Sequence, residues 1–318
     1  MAESERNAGR DRWKVLAAFA IIYFVWGSTF LGIRIGVKEV PPLLFAAMRF
    51  FTAGVLLYGW LAIKGDRHPS AREWRSIFLL AFVMFVVDYG CLFWAEQRVA
   101  SGLAAVILAT IPAFMALGEI ALLGTQRMTL RLGLALLVGI GGVAVLMSHS
   151  LDLGGIPVDR SGAIAILIGA ASWSIASIMA RKLPMPESKM MSAGAQMLSG
   201  GAMLFLAAAA FGEFRGLHLG NVSSGVWWSL AYLIVAGSLI GFTAYVWLLH
   251  RESPTKVGTY AYVNPVVAVI IGYFFGGEEL GLRTIVGTAC VLVSVLLITT
   301  AKAKTAAVPA VVAKTAES

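Results

Sequence analysis

Residues 105–117 read AVILATIPAFMAL, and residues 259–271 read TYAYVNPVVAVII. Each stretch is almost wholly apolar, and each carries a proline near its middle, Pro112 and Pro265. Inside a helix, a proline removes one hydrogen bond and displaces the carbonyl four residues earlier, here that of Leu108 or Ala261. In lipid a freed carbonyl is costly unless protein or cavity water covers it. Two such breaks at matched places predict helices that line an interior cavity, in a chain assembled from two copies of one unit.

The rest of the chain supports a membrane setting for these breaks. It has 318 residues, 59% of them hydrophobic and 13% charged. Soluble domains carry about 25% charged and about 45–50% apolar residues. The excess is concentrated in runs without a single charge: Val15 to Ile33, Met190 to Gly212, Val222 to Leu249 and Val257 to Gly277. About 20 such residues cross a bilayer. The expected fold is an all-α polytopic membrane protein with ten transmembrane helices, near 13–37, 43–63, 76–96, 102–124, 132–148, 161–181, 191–212, 227–249, 257–276 and 284–301. The first run is too long for a signal peptide and is followed by GIRIGVKEVPP, which lacks a small-residue cleavage site, so it is expected to be retained. Cys91 and Cys290 fall inside spans and read as packing residues, not a disulfide framework. The net charge of +8 fits basic loops on one face and does not require a nucleic acid.

Those loops set the orientation. With the N-terminus inside, the inner segments hold 18 Lys and Arg residues and the outer ends hold 6 (Arg34, Lys38, Arg98, Arg160, Arg215 and Arg283), while Arg49 lies within a span. The positive-inside rule then puts both termini in the cytoplasm. The expected organisation is a cytoplasmic N-terminal segment (1–12), a first five-helix repeat (13–148), a second, inverted five-helix repeat (161–301), and a disordered cytoplasmic tail (302–318).

The duplication rests on three landmarks in one order. VWGSTFLGIR places Trp26 eight residues before Arg34, and SWSIASIMAR places Trp173 eight residues before Arg181. The proline pair follows, and then TQRMTLR ending at Arg131 and GEELGLR ending at Arg283. An odd number of helices per unit inverts the second copy, and inverted repeats are a mark of secondary transporters.

Ten helices in a five-plus-five duplication, VWGST in the first helix and MRFF in the second resemble the EamA-type drug/metabolite transporters of the DMT superfamily. AEQRVASGLAAVILATIP and SPTKVGTYAYVNPVVAVIIGYFFGGEEL sharpen this toward the bacterial YedA-like inner-membrane branch. The resemblance covers about residues 13–301. It implies a cavity between the halves, walled by helices 1, 3, 4, 6, 8 and 9, and nominates Trp26, Ser28, Thr29, Glu96, Thr110, Pro112, Trp173, Tyr260, Tyr262, Asn264 and Pro265. Arg49 matches the family's second-helix arginine and Glu279 its acidic residue after the ninth helix. The corresponding first-half position is Gln126, so no role that needs a carboxylate in both halves is expected.

Ionisable groups within spans are functional candidates by default. Arg49 and Asp88 lie at similar depth, counted from Lys64 and Arg75. An ion pair between them would either fasten two helices or act as a gate. Glu119 either couples protons or reaches toward the inner interface and Arg127. Trp26 and Trp173 either pack helices or stack on a solute. Tyr245, Tyr260 and Tyr262 offer hydroxyls, and Asn264 an amide, beside a helix break. Glycines four apart (Gly32/Gly36, Gly237/Gly241, Gly272/Gly276) suit close helix packing.

The GIGGVAV stretch lies in an apolar span, so it is not a phosphate loop, and there is no Walker signature or His/Cys cluster with metal spacing. The expectation is no enzyme, no cofactor and no metal. It is a multi-pass protein of the bacterial plasma (inner) membrane that exports a small metabolite or amino acid-like solute by alternating access. The alternative is a scaffold or sensor that kept the fold without transport. The expected partners are the small-molecule solute and the lipid bilayer, with a homodimer left open and nucleic acid excluded.

Overall fold

The computed structural model describes residues 2–99, 104, 107–146, 159–215, 219–267 and 282–300, and those residues are helical with short connections. The elements are α1 (Ala2–Gly36), α2 (Pro42–Ile63), α3 (Ala71–Glu96), α4 (Ile111–Leu123, after a helical turn at 107–108), α5 (Leu130–Leu146), α6 (Arg160–Met179), α7 (Lys189–Ala210), α8 (Ser224–Leu249), α9 (Pro254–Val257 and 260–267) and α10 (Leu282–Thr299). Six stretches, Arg12–Gly36 within α1 and the whole of α2, α3, α6, α7 and α8, are long and apolar enough to cross a membrane. Glu279, Gly272, Gly276 and the tail 302–318 lie outside the described residues.

Two helix starts differ from expectation. The first helix begins at Ala2, its mixed-charge N-terminal stretch continuing the helix without a break. The third begins at Ala71, ahead of the apolar run, because Ser70 and Glu73 form a capping box. The Ser70 amide donates to Glu73 Oε2 at 2.6 Å, and Ser70 Oγ accepts from the Glu73 amide at 3.4 Å.

The halves are duplicates in packing as well as in sequence. α2 packs on its repeat counterpart α7, and α5 on its counterpart α10. Glycines permit both approaches: a Cβ at Gly54 or Gly201 would collide with the backbone of Leu198 or Phe51, and one at Gly142 would crowd that of Gly287 and Val291. α1 packs on α8, and α6 packs on α3 in the mirrored relation. α3 and α8 each contain a π-helical stretch, Phe82–Tyr89 and Leu233–Phe242. Each then ends in a Trp-x-x-x-Arg turn, with Arg98 3.9 Å above the Trp94 ring and Arg251 4.8 Å above the Trp247 ring. This fourth landmark is legible in FWAEQR and VWLLHR once the helices are known to correspond.

The buried apolar side chains fall into two clusters. The larger gathers α1–α4 and α6–α9. The smaller joins the ends of α4 and α9 to α5 and α10 through Ala109, Leu132, Ala135, Val143, Tyr262 and Val291. The breaks in α4 and α9 lie where the two clusters meet.

Candidate functional site

A cavity of about 650 Å³, counted out to its mouth, lies at the centre of the bundle. Its walls come from both halves: Trp26, Thr29 and Ile33 of α1, Arg49 of α2, Asp88, Tyr89 and Leu92 of α3, Leu108 and Ile111 around the α4 break, Trp173 of α6, and Tyr260, Ala261, Asn264 and Pro265 of α9. Leu108 and Ala261 are the residues whose carbonyls the two prolines free from helix bonding. Both residues line this space, where a freed carbonyl would have cover. Around the first break the chain turns tightly: the Thr110 amide donates to Ile107 O at 3.0 Å and Thr110 Oγ1 to the same carbonyl at 2.6 Å. Pro112 then sits in the first turn of the resumed helix, where a missing N–H costs nothing. Around the second, the Asn264 side-chain amide donates to Tyr260 O at 3.0 Å and to Tyr23 O at 3.2 Å, tying α9 to α1.

One wall of the cavity is aromatic. The Trp26 and Trp173 rings meet edge to face at 5.7 Å, so two residues 147 positions apart touch. Tyr260 stands edge-on to Trp26 at 4.8 Å, and Tyr89 to Trp173 at 5.9 Å. Tyr245 lies beneath them, 5.1 Å from Trp26 and 5.0 Å from Trp173, its hydroxyl bonded to Ser177 Oγ at 2.5 Å. Trp26 Nε1 donates to Gly237 O in the π-helical stretch of α8 at 3.0 Å. Trp173 Nε1 lies beside the Tyr245 hydroxyl without completing a hydrogen bond.

The charged residues are arranged differently from the expected pair. Arg49 and Asp88 are both buried and line the same cavity, yet they form no ion pair. Arg49 Nε donates to Ser238 Oγ at 2.9 Å, and its guanidinium lies 4.6 Å from the Phe50 ring and 5.7 Å from that of Tyr89. Its Nη1 has no partner, and neither has Glu96 Oε2 at the end of α3. Arg49 and Glu96 lie within electrostatic reach of each other, and Arg34 reaches Glu96 from the end of α1. Glu119 does not pair with Arg127. Its Oε2 accepts from Thr255 Oγ1 at 2.8 Å and the Thr255 amide at 3.2 Å, and its Oε1 accepts from Thr125 Oγ1 at 3.1 Å. It thus clips the end of α4 to the first turn of α9, an anion at a helix N-terminus.

Of the residues singled out in the sequence, Trp26, Thr29, Arg49, Asp88, Trp173, Tyr260, Asn264 and Pro265 line the cavity. Five others are occupied elsewhere. Ser28 Oγ bonds the Tyr232 hydroxyl at 2.5 Å, Thr110 caps its own turn, and Tyr245 forms the layer beneath the aromatic wall. Glu119 is the clip just described. Tyr262 turns into the smaller cluster, its hydroxyl donating to Leu136 O at 3.3 Å, because alternate residues of a helix cannot share a face with Tyr260 and Asn264. Tyr89 was missed. Its signal was its place beside Asp88 on the helix face that also carries Leu92 and Phe85.

Comparison with known proteins places this geometry. The profile of the EamA-like transporter family matches the chain twice, over residues 13–148 and 160–300. The chain is 36% identical over 295 residues to the "Uncharacterized inner membrane transporter YedA" of Escherichia coli (strain K12), covering 92% of this chain and 93% of that one. It is 23% identical over 294 residues to the "Uncharacterized transporter YoaV" of Bacillus subtilis (strain 168), covering 89% of this chain and 96% of the relative. A solved crystal structure superposes with a TM-score of 0.72 at 18% identity, over 91% of this chain and 97% of that one, which shows a shared fold. Matched along both of its halves and by a relative spanning nearly its full length, the chain belongs to the EamA-like transporter family and is a membrane transporter, not an enzyme.

Proposed function

We propose that the protein is a secondary transporter that moves a small metabolite or amino acid-like solute out of the cell by alternating access. One observation carries the reading: the central cavity is walled by both halves, and repeat counterparts Trp26 and Trp173 touch at its wall. A pair of inverted units, 13–148 and 161–301, can exchange two asymmetric packings and so present the cavity to either side in turn. The scaffold alternative calls for a dry, closed interior, and the cavity supports transport over it. The basic-residue bias supports cytoplasmic termini, and the name of the Escherichia coli relative supports the inner membrane.

The cavity walls at Ile33, Arg49, Asp88, Leu92 and Leu108 lie toward the end of the bundle opposite the chain's amino terminus, by the alternating direction of the helices. At the amino-terminal end, Tyr23 bonds Thr259 at 2.7 Å, and the Glu119 clip joins α4 to α9. This state is therefore read as open away from the cytoplasm. The test is counterflow in proteoliposomes loaded in turn with amino acids and small metabolites. Exchange that Trp26→Ala and Trp173→Ala abolish is the expected result. Folded protein that exchanges no solute sinks the proposal.

A further inference from the structure

We infer that Asp88, set into the aromatic wall, binds the protonated amine of the transported solute; this rests on the transport reading and narrows it to amine-bearing solutes.

Asp88 is buried at the end of the π-helical stretch of α3, and its carboxylate makes no hydrogen bond or ion pair among the described residues. A carboxylate held there without a counter-charge is costly. The cation of the same wall does not supply one. Arg49 turns to Ser238 and to the Phe50 and Tyr89 rings, with Glu96 only within electrostatic reach. Asp88 shares its cavity with the rings of Trp26, Tyr89, Trp173 and Tyr260, and Tyr89 abuts Trp173. A carboxylate in a cavity with aromatic walls complements an alkylammonium, which it attracts by charge and the rings attract by their quadrupoles.

The other repeat carries no such group. Counted from Trp94 and Trp247, Asp88 corresponds to Gly241, against which Trp26 packs. Space for the carboxylate comes from the opposing half. A Cβ at Gly169 of α6 would come within 2.9 Å of Asp88 Oδ1. Counted from Trp26 and Trp173, Gly169 corresponds to Ile22. The acid of one half and the clearing of the other thus meet at one α3–α6 contact, whereas the symmetry-related α8–α1 positions are a glycine and an isoleucine. Arg49 likewise has a neutral counterpart, Gln196, whose amide is satisfied by Ser192 within its own helix.

The experiment is calorimetric titration of the purified full chain in detergent with three probes that share a phenylethyl group: phenethylamine, phenylalanine and 3-phenylpropionate. The two amines are expected to bind at least about tenfold more tightly than the anion, and Asp88→Asn to weaken them by about tenfold or more. Gly169→Ala keeps the carboxylate and crowds it, and is expected to weaken the amines too. It serves in place of Asp88→Asn if that variant does not fold. Binding of 3-phenylpropionate as tight as that of the amines, amine binding unchanged by both substitutions, or no amine binding at all overturns the inference. Amine binding without counterflow would instead sink the transport reading and leave the site standing.

Discussion

Trp26 and Trp173 are the same residue of a duplicated unit in two different bonding states. Trp26 Nε1 donates to the Gly237 carbonyl, whereas Trp173 Nε1 is buried without a hydrogen bond. A phenylalanine keeps the ring contact and removes only the donor. Trp26→Phe is therefore expected to lower stability by about 1 kcal/mol, the usual net worth of such a bond, and Trp173→Phe by less. Thermal unfolding in detergent compares the two directly, and equal losses would remove the distinction. Which tryptophan would be satisfied could not be read from VWGST and SWSIA. The difference lies in α8 and α3, whose backbones approach the two indoles unequally. The same limit explains the Arg49–Asp88 expectation. Equal depth along two helices was legible from residue counts, but the direction of each side chain around its helix was not, and Arg49 turns to Ser238.

At the scale of elements, the α2–α7 contact is backbone against backbone. Gly201→Ala places a Cβ into the Phe51 backbone, which no rotamer change can relieve. A cost of about 1–3 kcal/mol is expected, with loss of folded yield from membranes as the readout. The Glu119 clip is a second such joint. Glu119→Gln keeps the shape and removes the charge that faces the start of α9, and is expected to cost about 1–3 kcal/mol by the same unfolding assay. At the opposite end, the Ser223 amide and hydroxyl both donate to Glu39, at 2.8 and 2.7 Å, and hold its carboxyl below the usual range. Because the folded value is depressed, this joint contributes above the ordinary carboxylate range and is lost as pH falls through the folded value. Glu39→Gln should thus lower the unfolding temperature near about pH 7, and the gap to the parent should close by about pH 3. Such joints were beyond the sequence, since each links residues more than a hundred positions apart.

For the whole molecule, ten helices bring the start of α1 and the end of α10 to one face, and the basic-residue bias supports the proposal that this face is cytoplasmic. A protease-sensitive tag at either terminus is expected to resist digestion in intact cells and to be cut in inverted vesicles. Opposite behaviour of the two tags would remove the five-plus-five topology. The sequence by itself determined the membrane setting, the number of helices and the duplication, because apolar run length, charge placement and repeat spacing are properties of the chain taken in order. Only the tertiary structure decided which side chains share the cavity: that Tyr260 and Asn264 face it while Tyr262 does not, that Tyr89 belongs to it, and that Asp88 stands apart from Arg49. Those outcomes depend on the rotation of each helix about its axis and on π-helical stretches that shift the facing residues. Both are settled by packing between segments that never meet along the chain.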